Sequence, residues 1–397
     1  MTPAPATRWR RITALTVTGL LLAGAAACSS DDEADAPAAT TSTIASTDSP
    51  GTDTPPEGPF DGDWETAAPA TVGLDPEELD RIAARAETDG SNCLLVVRHG
   101  RIAGEWYWND TDEHSDQEVF SATKSYASVL VGIAQDEGAL DIDDAAATWI
   151  PEWQGTDAEA VTVRNLLSND SGRFWSVGTD YGELLRSPDK TAYAVGLEQT
   201  DPPGTTWEYN NAAIQTLDQV VEEATGTPFA TYGQEKLLDP LGMADSRFKS
   251  DSSGNGLTFM GLSSTCRDMA RFGLMVLHGG GWGDDQVVSA DYIAEATEAA
   301  SQDLNGSYGL LFWVNRKGAL PGSTSPTGGE GVDDELSESQ RVPGAPDDLV
   351  WALGLGSQII QVHDETDTVV VRLGPAASNS PYSETETARV VTDAVTD

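Results

Sequence analysis

Two short stretches of this sequence combine residue types able to do covalent chemistry. Ser121-Ala-Thr-Lys124 heads an apolar run, so a helix starting there puts a hydroxyl and an amine on one face at spacing i, i+3. A serine at a helix N-terminus meets the positive end of the helix dipole, and a desolvated lysine sheds its proton more readily. The pair is a nucleophile beside its base. Tyr209-Asn210-Asn211 follows Pro203-Gly204-Thr-Thr-Trp207-Glu208, a turn that would present the phenol to a cleft. With its pKa lowered by a neighbouring ammonium, such a phenol takes the serine proton and later returns it to a leaving group.

Spacing by itself is weak evidence. Three of the five lysines follow a serine by three residues. Ser187-Pro-Asp-Lys190 lies in a polar stretch, and Ser246-Arg-Phe-Lys249 follows the Pro240-Leu-Gly-Met243 turn without opening a helix, so neither is expected to be rigid or buried. Tyr107-Trp108-Asn109 repeats the second spacing. The four histidines, His99, His114, His278 and His363, are expected at the surface, and no Gly-x-Ser-x-Gly elbow accompanies them. Scattered histidines and three cysteines without paired-ligand spacing predict no metal and no cofactor.

The elements that must position the two stretches follow from periodicity. Helices are expected over Asp75–Thr88, over Ser121–Glu137 with Gly138 as its stop, and from Thr385 onward. Strands are expected over Leu94–Val97, Ile102–Trp108, Tyr308–Val314, Leu349–Leu353, Gln358–Val362 and Thr368–Leu373. Residues of about 140–250 read as helices broken by Pro and Gly. Strands at both ends with helices between predict an α/β plus all-α class: one sheet flanked by helices, with an inserted helical subdomain.

Of the 397 residues, 22 are basic and 65 acidic, a formal net charge of −43. That excludes a nucleic-acid binder, which needs clustered Lys and Arg. The acidity reads as a solubility or salt-tolerance feature. Arg8, Arg10 and Arg11 precede an apolar run from Ile12 to Ala27, shorter than the ~20 residues that span a bilayer, so residues 1–27 are expected to be an export signal. The run ends in small residues before Cys28, which resembles the lipobox of bacterial lipoproteins and implies a lipid anchor at Cys28 on the extracytoplasmic face. An ordinary cleaved signal is the alternative. Residues 28–70, rich in Ser, Thr, Pro and acids, are expected to be a solvated tether with a reach of roughly 35 Å. If Cys28 carries lipid, Cys93 and Cys266 remain, and a disulfide between them is permitted but not implied.

The order of the motifs carries more than any one of them. Ser121-Ala-Thr-Lys-Ser-Tyr-Ala-Ser-Val-Leu-Val-Gly-Ile-Ala134, Val163-Arg-Asn-Leu-Leu-Ser-Asn-Asp-Ser-Gly172, Pro203 to Asn211, Asp239-Pro-Leu-Gly-Met243 and Arg267-Asp-Met-Ala-Arg-Phe-Gly273 resemble the serine β-lactamase and penicillin-binding-protein superfamily of class C type. They are most similar to its 6-aminohexanoate-dimer hydrolase and esterase branch. The resemblance covers about residues 71–397 and implies the antiparallel β-lactamase/transpeptidase-like fold. It makes Ser121 the acylated nucleophile, Lys124 its activating neighbour, Tyr209 the general base and then acid, and Asn211 the residue that orders the lysine. The oxyanion hole would be the backbone N–H groups of Ser121 and Leu355, with Tyr181 and Gly354 touching substrate. Ser168-Asn-Asp170 reads as structural.

One motif departs from the superfamily pattern. Where β-lactamases carry a cation and then a hydroxyl on the last strand, Trp351-Ala-Leu-Gly-Leu355 has Ala352 and Leu353. Losing a charge-assisted contact of ~1.5 to 3 kcal/mol makes a penicillin carboxylate a poor fit. The implied activity is a small-molecule ester or linear-amide hydrolase of the cell envelope. A D-amino-acid peptidase, a β-lactamase and a non-catalytic lipid-anchored binding protein are the alternatives.

Overall fold

Thr368–Leu373 carries Val at three successive positions and ends in Leu, the composition of a strand covered on both faces. In the computed structural model it lies near the middle of a six-stranded antiparallel sheet made of β1 (Cys93–Arg98), β2 (Arg101–Tyr107), β3 (Trp313–Val314), β4 (Val350–Gly354), β5 (Gln358–His363) and β6 (Thr368–Leu373). The order is β2-β1-β6-β5-β4-β3, and every residue of β1, β5 and β6 is buried. The structure describes residues 58–60, 62–301, 303–324, 327–328, 339–377 and 379–396. The expected signal of residues 1–27, the lipidation site Cys28 and the first part of the tether lie outside these.

Two helices cover the sheet. In α4 (Cys266–Leu277), Gly273 is packed so closely that a Cβ there would meet Ile360 and Val369. In α5 (Glu384–Arg389), Thr387 exchanges hydrogen bonds with the Gln361 amide. Neighbouring residues of a strand point to opposite faces, so Ile360 and Gln361 place α4 and α5 on opposite sides of β5. The Cys93–Cys266 disulfide, with Cα atoms 6.6 Å apart, ties β1 to the start of α4. The first long helix, α1 (Pro76–Thr88), opens on Asp75, whose carboxylate accepts from the N–H groups of Glu77 and Glu78.

The helix expected at Ser121 is α2 (Thr123–Asp136), entered through a single tight turn over Phe120–Ala122 and buried from Thr123 to Ala134. Between α2 and α4 the described chain is chiefly short helical segments, among them Val163–Ser168, Lys190–Val195 and Leu217–Thr225.

Several expectations need correction. Tyr308–Val314 is not one strand: only Trp313 and Val314 pair with β4, because the chain reverses at Leu311, held at φ 61°. The tether expected to reach residue 70 ends sooner, since the Phe60 ring lies 5.0 Å from that of Trp282 and Arg271 sits over Trp64. Two aromatics were enough to fasten an otherwise polar stretch. Ser246 is buried and bonded to Asp268 and Ser264, and His363 is 2% exposed between Asp348 and Thr366, so neither belongs to the surface.

Candidate active site

The residue before the nucleophile candidate carries the local strain. Phe120 adopts φ 49°, a region disfavoured for a bulky side chain, and this sharp turn delivers Ser121 to the head of α2. Strand β4 runs alongside. At Gly354 a Cβ would stand 2.0 Å from the Val119 carbonyl oxygen, so only glycine lets the strand approach the turn this closely. Leu355 follows at the start of the three-residue connection to Gln358. The buried guanidinium of Arg372 fixes that connection by donating to the carbonyls of Gly356 and Ser357 at 2.5 and 2.9 Å.

Lys124 lies one helical turn below Ser121 and is 1% exposed. Its Nζ donates to Ser121 Oγ at 2.9 Å and to the Phe259 carbonyl at 2.8 Å. Among the described residues no carboxylate pairs with it directly. Burial pulls its pKa down to about 7, partly opposed by the negative charge of Asp180. At neutral pH a large fraction of the amine is therefore unprotonated and able to accept a proton from the hydroxyl.

Tyr209 is buried over the same amine, with Nζ 4.7 Å from its ring centroid. Its ring stacks on Trp313 at 5.6 Å and meets Tyr308 edge-on. Burial raises the phenol well above its usual range, the Ser121 hydroxyl bond only partly countering it. Burial sets this direction, opposite to the lowering expected from a neighbouring ammonium. Tyr209 is thus a neutral hydroxyl, a group that can both donate and accept a hydrogen bond.

Asn211 begins the short helix α3 (Asn211–Gln215), capped by Asn210. It lines the cleft beside the lysine, and among the described residues no hydrogen bond joins its side chain to Lys124. Its Oδ1 is buried without a hydrogen-bond partner among these residues, while its backbone N–H donates to Asp180 Oδ2 at 2.7 Å. Ala212 N–H donates to the other Asp180 oxygen at 3.2 Å. Burial raises the Asp180 pKa to about 6, with these two N–H donors and the Lys124 charge pulling it down.

A cleft of about 390 Å³ opens above these groups. It is lined by Ser121, Tyr209, Asn211, Tyr181, Gly354 and Leu355 from the expected set, and also by Phe120, Asp180, Leu185, Phe259, Met260, Trp313, Ser323, Arg341 and Leu353. The decoys lie elsewhere. Tyr107 donates to Glu105 at 2.5 Å, Lys190 bonds the Ser187 carbonyl, and Lys249 pairs with Glu118. Ser168 and Asn165 both donate to Asp170 Oδ1, and Ser301 donates to its Oδ2 at 2.6 Å, a structural tie between the turn and a distant segment.

Sequence reasoning missed three groups. The Phe259 carbonyl carries no residue-type signal, and Asp180 precedes Tyr181 with nothing local to mark it. Arg341, stacked 4.1 Å over Trp313 and paired with Glu384 at 2.8 Å, supplies a cation from outside the strand where one was sought. Among the described residues, one group of His and carboxylate side chains is close enough to hold an ion, Asp348, His363 and Glu365, and it is not part of the cleft.

A buried amine with little charge, a hydroxyl at the head of a core helix and a neutral phenol beside a sheet end are the parts of a serine hydrolase. Residues 82–388 match the beta-lactamase family, and the chain belongs to it. It is 25% identical over 300 residues to the 6-aminohexanoate-dimer hydrolase of Paenarthrobacter ureafaciens, a match covering 66% of this chain and 74% of that one. It is 29% identical over 182 residues to the esterase EstB of Burkholderia gladioli, covering 39% of this chain and 46% of that one. In three dimensions it resembles a candidate beta-lactamase from Bacteroides dorei, with TM-score 0.66, 21% identity, and coverage of 82% of this chain and 100% of that one. The antiparallel sheet flanked by helices is the fold of this family, and the chain is a serine hydrolase.

Proposed function

We propose that this hydrolase cleaves esters or linear amides through an acyl-enzyme on Ser121, and that it works outside the cytoplasm, anchored by lipid on Cys28. The observation that carries the chemistry is the buried Lys124 amine, 2.9 Å from Ser121 Oγ with a pKa of about 7. The neutral amine takes the hydroxyl proton as Oγ attacks the carbonyl carbon. Backbone N–H groups of Ser121 and Leu355 would hold the oxyanion, each typically worth a few kcal/mol of barrier. As the carbon–heteroatom bond breaks, Tyr209 gives its proton to the leaving group and recovers one from the Lys124 ammonium. Water then attacks the acyl ester, its proton passing to the same pair, and Ser121 departs with a proton restored.

The names of the relatives support an ester or amide as substrate. Ala352 is buried and Leu353 is apolar, so β4 offers no cation to a β-lactam carboxylate. The Cys93–Cys266 disulfide suits an oxidising compartment, in keeping with export.

The test sets the chain against short p-nitrophenyl esters, a 6-aminohexanoate dimer, nitrocefin and a D-alanyl dipeptide, with intact-mass detection of adducts. Turnover of ester or amide, with rate and adduct both lost in Ser121→Ala, is expected. Preference for the D-peptide would move the assignment to a peptidase, and the absence of any adduct would leave a binding protein.

A further inference from the structure

Large apolar side chains left in water are unfavourable, and a chain with a formal charge of −43 has no shortage of polar surface. Among the described residues, four such side chains are exposed: Val177 (50%), Tyr181 (41%), Leu185 (43%) and Leu355 (48%). They are not scattered. Tyr181, Leu185 and Leu355 line the cleft above Ser121, and Val177 stands just before the helical segment Thr179–Glu183 that carries Tyr181. The Tyr181 hydroxyl donates to the Ser323 carbonyl at 3.2 Å, which fixes its ring at the cleft wall. Below this rim the lining continues apolar through Phe120, Met260 and Leu353.

The charged groups of the cleft have protein partners. Lys124 donates to Ser121 and Phe259, Asp180 accepts from two backbone N–H groups, and Arg341 is paired with Glu384 through Nη2, its Nε being left without a partner among the described residues. At the rim, by contrast, the exposed side chains are apolar, and an apolar substrate group has only to displace water from them.

From this arrangement we infer that the rim formed by Val177, Tyr181, Leu185 and Leu355 is a specificity site for a neutral substrate with an extended apolar moiety, such as a medium-chain acyl ester or amide. The inference rests on the hydrolase reading above and adds the substrate class. The apolar chain lies along the rim while its carbonyl reaches Ser121, and chain burial raises kcat/KM until the cleft is full.

The experiment uses the full chain and two ester series below their critical micelle concentrations: p-nitrophenyl esters from acetate to octanoate, and acetate esters of alcohols of increasing length. In at least one series kcat/KM is expected to rise by up to about four-fold per methylene. Leu185→Ser is expected to lower the ratio of longest to shortest substrate by about ten-fold, and Val177→Ser by less. Both residues are largely exposed, and a thermal melt of each variant checks that it is folded. Two flat series alongside measurable, Ser121-dependent acetate turnover would overturn the inference and leave the hydrolase reading standing. A rise that survives both substitutions would overturn the assignment to the rim. Absence of acetate turnover and of any Ser121 adduct would instead count against the hydrolase reading itself.

Discussion

The molecule contains its own control for the Ser-x-x-Lys spacing. Ser121 and Ser246 are each followed by a lysine three residues on, and the Ser246 hydroxyl is well buried. Their surroundings differ in charge. Ser246 Oγ donates to Asp268 at 2.8 Å and Lys249 reaches out to Glu118 at 3.1 Å, so both polar groups of that pair are spent on carboxylates. Ser121 meets Lys124 and the Tyr209 phenol, and Lys124 has a carbonyl rather than a carboxylate for its second partner. A buried amine without a directly paired counter-charge loses its proton more readily than one in water. Reactivity at this spacing is decided by what the lysine is denied.

Substitution breaks the comparison most sharply at the serines. Ser121→Ala is expected to cut ester kcat/KM by at least about 10³-fold and to abolish the acyl adduct seen by intact mass. Ser246→Ala should leave the rate within about two-fold and cost roughly 1 to 2 kcal/mol of stability in urea unfolding, because Asp268 loses a buried donor.

The lysines follow, with opposite signs for rate and stability. Lys124→Met is expected to lower kcat by about 10² to 10⁴-fold. It should also raise the melting temperature at pH 6. The unfolded lysine titrates near 10.5 and the folded one at about 7, so below pH 7 folding carries a cost on the order of 5 kcal/mol that the substitution removes. The unpaired Phe259 carbonyl returns part of that gain. Between pH 7 and 10.5 the unfolded chain holds more protons than the folded one, so this cost fades as pH rises. Lys249→Met, removing a surface ion pair, should move neither quantity measurably. A Lys124→Met protein less stable than wild type at pH 6 would count against a strained amine.

Tyrosines give the next smaller contrast. Tyr209→Phe keeps the stacking on Trp313 but removes the relay proton, and kcat is expected to fall by about 10²-fold in stopped-flow assays with esters. Tyr107→Phe removes only the bond to Glu105 and should leave the rate unchanged within error.

What could be seen in the sequence was the chemistry that is local along the chain. Ser121 and Lys124 share a helical turn, the apolar runs of β1, β5 and β6 announce strands, and the periodicity of residues 75–88 marks α1. Contacts made by the backbone or across distant segments were illegible. The Phe259 carbonyl that holds Lys124 belongs to a residue whose type predicts only packing. Arg341 approaches the cleft from the segment before β4, so a search along the strand for a cation at Ala352 could not find it. The Leu311 reversal splits an aromatic run whose composition reads as one strand. Phe60 and Trp64 were outvoted by the acidic residues around them, although two rings suffice to dock a loop.

Asp180 offers the finest adjustment of the comparison, because its negative charge acts on the buried Lys124 amine. Its carboxylate is committed to the N–H groups of Asn211 and Ala212, and it acts on Lys124 through space. That charge favours the ammonium and so holds the amine's pKa higher than burial alone would. Asp180→Asn keeps an acceptor for the head of α3 but removes the charge. The acid limb of the kcat/KM profile, set near 7 by Lys124, is therefore expected to move to lower pH by up to about one unit, and activity below pH 7 should rise relative to wild type. A residue serving only to cap α3 would lower the rate at every pH without moving the limb. The pH profile of the variant, fitted beside that of wild type on the same ester, separates the two roles.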